Sequence, residues 1–279
     1  MLITDAQVHI WRANSPERPW RAGEKSHREP PLEADELLHE MDAAGVNRAI
    51  LVPPFLDGDR NDLVLEAARL HPDRFAVMGR PDGKTTSIEK WREQPGMLGL
   101  RFSSGHLIAG LTEGSLDWLW KGAEKAGVPF MILLPHAKMH LIDHVAERYP
   151  GLKLVMSHLG VMGTMRGEEG FRDLEAFREL DKLLVMAKRP NVAVKASALP
   201  CFTSDDYPYR SLHPYLHRVY DAFGTKRMFW GTDLARLPCS YRQAVTMFTE
   251  EIPWFTTEDK EWIMGRGLCE WLGWKLPAV

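Results

Sequence analysis

Leu2-Ile3-Thr4-Asp5-Ala6-Gln7-Val8-His9 opens the chain as a short, mostly apolar run that ends in polar side chains. A run of this length is too short for a core helix and reads as a buried strand. Seven more runs of the same kind follow at Arg48–Pro53, Phe75–Gly79, Leu98–Phe102, Pro129–Leu134, Lys153–His158, Val192–Ser197 and Met228–Thr232. Between them apolar residues take helical spacing, as in Leu37, Leu38 and Met41, then Leu63, Val64, Ala67 and Ala68, and later Leu141, Val145 and Ala146. Ala44-Gly45-Val46, Ala126-Gly127-Val128 and Tyr149-Pro150-Gly151 stand where a helix should stop and the next strand begin. Eight strands alternating with helices predict a parallel sheet, and their number predicts closure into a single (β/α)8 barrel of the TIM type.

The bulk properties agree. A chain of 279 residues with 44% hydrophobic content can bury one large core, so residues 1–279 are read as one domain. The formal charge of −3 spreads over interleaved acidic and basic residues, giving no field for nucleic acid. The first residues lack the basic and apolar pattern of a leader, and no apolar run approaches about 18 residues, so the expectation is a cytoplasmic protein without a membrane partner. Cys201, Cys239 and Cys269 are odd in number and far apart, which implies neither a disulfide framework nor a structural zinc site. No repeat or linker divides the chain. The long irregular stretch from Arg12 to Pro31, directly after strand one, reads as a lid or substrate wall. The segment Thr256–Leu272 reads as a last helix against the bottom or side of the barrel.

In a barrel of this kind the residues that finish the strands face a common mouth. Strand one ends Asp5-Ala6-Gln7-Val8-His9-Ile10-Trp11, and alternation sends Gln7 and His9 the same way. Strand four ends Gly99-Leu100-Arg101-Phe102, strand six Ser157-His158-Leu159-Gly160, and strand eight Trp230-Gly231-Thr232-Asp233. Two imidazoles, a guanidinium and a carboxylate are thus expected to converge.

This ordered set, from Asp5–Trp11 to Gly231–Asp233, resembles the amidohydrolase-2 family, and the resemblance spans nearly the whole chain. The family's strand-one Asp-x-His-x-His, its His-Leu-Gly after strand six and its Gly-Thr-Asp after strand eight all have counterparts. In metal-bearing members, two strand-one histidines, a strand-five histidine and the strand-eight aspartate hold a divalent ion. Here Gln7 stands for the first histidine, and the strand-five position falls at Leu133, with His136 a little further on. A carboxamide is a poor zinc ligand beside imidazole or carboxylate, so the expectation is a site without a cofactor. The alternative is one zinc or manganese ion on His9, His158 and Asp233, aided by His136.

The resemblance to 2-pyrone-4,6-dicarboxylate lactonases and sugar lactonases implies a hydrolase that opens a small lactone. In that reading Asp233 activates water, while His158, His9 and Arg101 polarise the ester carbonyl and Gln7 orients substrate or water. Arg101, Arg80 and the arginines of the loop after strand one suggest a carboxylate on the substrate. Tyr207 and Tyr209, in the loop after strand seven, are candidate substrate contacts. The rivals are a metal-dependent decarboxylase or amidohydrolase on the same barrel, and a barrel that only binds a ligand.

Each candidate has a plain structural counterpart. Asp233 is also a good helix cap, His158 a satisfiable core histidine and Arg101 an ion-pair partner. His136, His140 and His144 share a helix face, so the last two lie away from the mouth. Lys195 on strand seven invites a Schiff-base reading, but substrate or structural pairing explains it equally well. Cys201 and Cys239 lack a paired base in local sequence. The Trp118–Trp120 and Trp271–Trp274 segments read as packing surface or a subunit interface, which leaves a homo-oligomer open.

Overall fold

The computed structural model describes residues 1–81, 87–162 and 172–277, with backbone alone at 104–106. All eight expected strands are present: β1 (Thr4–Val8), β2 (Arg48–Leu51), β3 (Phe75–Gly79), β4 (Met97–Ser103), β5 (Phe130–Leu133), β6 (Leu154–Met156), β7 (Val192–Ser197) and β8 (Met228–Gly231). They lie side by side in chain order and pair in parallel, as helical crossovers require.

Alternation divides the side chains between two cores. On β3, Phe75 and Val77 face the surrounding helices, while Ala76 and Met78 face the barrel axis. Ala6, Ile50, Leu98, Met131, Val155, Ala193 and Phe229 fill the same interior. A fully buried side chain of the larger kind contributes about 1.5–3 kcal/mol, so this lining supports the fold as well as the site. The last helix runs as Thr257–Glu261, a π-helical turn at Trp262–Arg266 and Gly267–Leu272. It closes the amino end: Leu268 and Leu272 join the interior cluster, and a Cβ at Gly265 would lie 3.1 Å from Thr4 N.

The helix stops follow the expected chemistry, since Gly45 (φ 78°) and Gly127 (φ 64°) end their helices in the left-handed region. One connection differs from strict alternation. Between β3 and β4 the chain makes a 3₁₀ segment, Ile88–Glu93, in place of a full helix. Buried Ile88 and Trp91 cover the sheet there, and Trp91 Nε1 donates to Gly99 O at 2.9 Å.

The seam between β8 and β1 is held largely by one buried carboxylate. Asp5 Oδ1 accepts from Gln7 N (3.0 Å) and Thr232 N (2.9 Å), and Oδ2 accepts from the Thr232 hydroxyl and from Tyr241 Oη (2.8 Å). Asp233 N donates to Gln7 O at 2.9 Å just above it. The strand-one aspartate therefore closes the barrel. No helix among the described residues is long and apolar enough to cross a membrane.

Candidate active site

Three strands reach the mouth through backbone that L-residues rarely adopt. His158 (φ 53°) and Leu159 (φ 50°) follow β6, Ala198 (φ 59°) follows β7, and Asp233 (φ 56°) follows β8. These turns bring His158 and Asp233 over the barrel axis. The turn after β6 is fixed from behind, because His136 Nε2 donates to Leu159 O at 2.7 Å. His136 is thus engaged beneath the site and is not placed as a ligand. His140 and His144 are exposed on the helix Met139–Arg148.

His9, His158, Gln7 and Asp233 meet. Asp233 Oδ1 lies 3.2 Å from His9 Nε2, and Oδ2 lies 3.7 Å from His158 Nε2 and 3.2 Å from Arg236 Nη1. Burial alone would raise the Asp233 carboxyl, but His9, Arg236 and His158 outweigh it and hold it well below its ordinary range. Gln7 Nε2 is 3.3 Å from both His9 Nε2 and His158 Nε2. An amide nitrogen can only donate, so the imidazole nitrogens it bonds accept. The outer nitrogens agree: His9 Nδ1 faces Val52 O at 2.6 Å and His158 Nδ1 faces Ser197 Oγ at 2.8 Å. Burial pushes His158 well below the usual imidazole range, consistent with a neutral ring.

Two cations complete the mouth. Burial brings Arg101 down to about 9, and neighbouring Arg80 adds to the shift. Arg101 Nη1 donates to Phe102 O. Burial likewise brings Arg80 down to about 10; its Nε donates to Pro53 O (3.2 Å) and its guanidinium lies 4.2 Å from the Phe55 ring centroid. Among the described residues neither guanidinium pairs with a carboxylate.

The other candidates sort themselves by place. Tyr209 lines a cavity of about 220 Å³ with Arg172, Cys201 and Arg236, beside Asp233. The Tyr207 hydroxyl is bonded to Thr246 Oγ1 at 2.9 Å on the helix Tyr241–Thr249, and its ring packs edge-on to Tyr209, with centroids 6.0 Å apart. The Cys201 thiol, pushed up to about 12 by burial, donates to Arg236 O and is no thiolate. Lys195 is wholly buried and gives its Nζ proton to Gln7 Oε1 at 2.5 Å.

Sequence reasoning passed over His27. The Arg12–Pro31 segment is fastened at many points: Arg18 pairs with Asp57 (3.1 Å) and Asp62 (2.8 Å), Arg28 pairs with Glu40 (2.8 Å), and Trp20 Nε1 donates to Arg12 O (2.9 Å). It carries the His27 ring edge-on to His9, with centroids 5.8 Å apart, and to Trp11 at 6.3 Å. Its Nδ1 is enclosed without a hydrogen-bond partner among the described residues, and burial lowers the ring to about 4. No local pattern marks such a residue, since its place depends on how the loop folds back.

The model of the family described as Amidohydrolase matches residues 4–266. The chain belongs to the amidohydrolase-2 family. Among curated relatives, it is 24% identical over 250 residues to L-fucono-1,5-lactonase of Burkholderia ambifaria, covering 82% of this chain and 79% of that protein. It is 23% identical over 219 residues to 4-sulfomuconolactone hydrolase of Hydrogenophaga intermedia, covering 75% and 67%. Among solved structures, a probable 2-pyrone-4,6-dicarboxylic acid hydrolase from Acinetobacter baumannii, with citric acid bound, superposes with a TM-score of 0.78 at 14% identity over 98% of this chain and 100% of that one.

The residues present do not make the metal-ligand set of the family's metal-bearing members. Gln7 places an amide NH2 between the two imidazoles and its oxygen is taken by Lys195, while Leu133 and His136 offer no ligand atom there. Among the described residues, no group of three or more His, Cys, Asp or Glu side chains is arranged to hold a metal ion.

Proposed function

We propose that this amidohydrolase-family protein hydrolyses a small lactone that carries a carboxylate, with Asp233 as the base for the attacking water. The observation that carries this reading is a buried Asp233 carboxylate set against His9, His158 and Arg236, with the buried Arg101 and the half-buried Arg80 at the same mouth and without a carboxylate partner among the described residues. Such cations are costly in a low-dielectric mouth unless an anion joins them, and a substrate carboxylate accepts their paired N–H groups. The two lactone-hydrolysing relatives support the reaction class.

In this mechanism the water oxygen bonds to the acyl carbon as its proton passes to Asp233. The oxyanion that forms on the carbonyl is met by Arg101. His9, whose Nε2 lies 3.2 Å from Asp233 Oδ1, shares the proton and returns it to the ring oxygen when the acyl–oxygen bond breaks. His158 Nε2 lies further from Asp233, at 3.7 Å, so its part is to hold Gln7 and the water in place, and the polarising role read from sequence falls to Arg101.

The test is hydrolysis of a panel of γ- and δ-lactones, with and without a ring carboxylate, followed by proton release in wild type and Asp233→Asn. Loss of the base should lower kcat by about 10²–10⁴. Absence of lactone hydrolysis by wild type, or an Asp233→Asn enzyme within tenfold of it, would overturn the reading.

A further inference from the structure

We propose that Lys195 fixes Gln7 as the internal occupant of the place where a divalent ion would sit, so that an amide NH2 group lies between His9 and His158. The assignment does not depend on the substrate.

Lys195 projects from β7 into the barrel and is fully buried, with Nζ 2.5 Å from Gln7 Oε1 and 3.5 Å from Met131 Sδ. A lysine N–H needs an acceptor, and the amide oxygen is the strong one at hand, so Lys195 decides which way the carboxamide faces. With the oxygen turned down, the two amide hydrogens point up to imidazole nitrogens 3.3 Å away. Val52 O and Ser197 Oγ meet the rings from behind, so each group's preferred role supports the next. The result is a closed chain from Lys195 through Gln7 to both histidines.

This chain excludes a metal in a specific way. An ion ligated by both imidazoles would lie about 2.0–2.1 Å from each nitrogen, in the space the amide nitrogen fills. Removing the amide would leave two nitrogen lone pairs and the Asp233 carboxylate around an open centre, which is the ligand type of a catalytic zinc site. Lys195 is thus a positioning residue whose absence frees the amide to turn its oxygen inward.

The experiment is zinc titration by calorimetry of metal-stripped wild type, Lys195→Met, Gln7→Ala and Gln7→His, with imidazole nitrogen signals read by NMR. Gln7→Ala and Gln7→His should bind one zinc at least about a hundredfold more tightly than wild type. Lys195→Met should shift the Nε2 signals of His9 and His158 and gain weaker zinc binding. A purely structural lysine would lower the melting temperature and leave both readouts at wild-type values. Wild type holding one zinc as tightly as Gln7→His would overturn the proposal. So would folded Gln7→Ala and Gln7→His proteins, verified by circular dichroism, that gain no zinc. Should Lys195→Met fail to fold, the two Gln7 variants still decide whether the amide occupies the site.

Discussion

The carboxylate at the barrel seam gives a prediction that can be worked through in full. Asp5→Asn keeps the size of the side chain and removes its charge. The two backbone N–H donors, from Gln7 and Thr232, can keep the remaining oxygen, and the Thr232 and Tyr241 hydroxyls can turn to accept from the new NH2. Burying the charge lifts the Asp5 carboxyl from 3.8 to about 6 with its four donors already counted. At 1.36 kcal/mol per pKa unit the ionised side chain is thus worse placed than the neutral one by about 3 kcal/mol, so Asp5→Asn, neutral at every pH, should compare better with wild type at pH 8 than at pH 4.5. The pH dependence follows from the direction of the shift. Between the unfolded and folded pKa values the native state binds more protons, so wild type loses stability as pH rises from about 4 to 7 while Asp5→Asn does not. Urea unfolding at pH 4.5 and pH 8 should therefore find the variant's deficit shrinking by about 2–3 kcal/mol at the higher pH. Asp5→Ala, which orphans both N–H groups, should lose at least about 2–6 kcal/mol at either pH. A deficit for Asp5→Asn that is the same at both pH values would refute the argument.

Arg101→Met should raise KM for a carboxylate-bearing lactone about 10–100-fold, the equivalent of one charge-assisted pair, and leave KM for the uncharged analogue within threefold; equal effects on both would remove the anion argument. His27 is lowered from 6.5 to about 4 by burial, so the unfolded chain binds its proton first and stability is lost as pH falls between those values. His27→Gln should thus gain up to about 3 kcal/mol over wild type between pH 7 and pH 4, and a pH-independent difference in unfolding free energy would mean that the loop leaves His27 in water. His136→Phe, which leaves Leu159 O without its donor, should cost about 1–3 kcal/mol and lower kcat, with His136→Gln recovering most of both; unaltered kcat in the Phe variant would show that the turn after β6 holds itself.

How far the molecule was legible from sequence varied with how local each signal was. Apolar runs and glycine stops located all eight strands, because they report burial and backbone freedom within a few residues. Period-two alternation also placed Gln7 beside His9, and the strand-end motifs placed Arg101, His158 and Asp233 at one mouth. What was missed depends on contacts across the barrel. Lys195 and Gln7 are separated by 188 positions, and nothing near either one states that they bond. Asp5 sits in a recognised motif, yet its part in closing the barrel comes from Thr232 and Tyr241 at the far end of the chain. The partner of the Tyr207 hydroxyl, Thr246, likewise lies 39 positions away and has no local mark.

The left-handed residues after β6, β7 and β8 bear on how such an enzyme can be improved. A non-glycine residue held there carries roughly 1–2 kcal/mol of conformational penalty. At Ala198 (φ 59°) the side chain is a methyl group, so glycine offers relief without removing a functional atom. At His158 and Asp233 the same relief would delete the groups that the proposed mechanism uses. Selection for durability and selection for catalysis therefore agree at Ala198 and conflict at His158 and Asp233, and a heat-tolerant descendant of this barrel should accept the first exchange and refuse the other two.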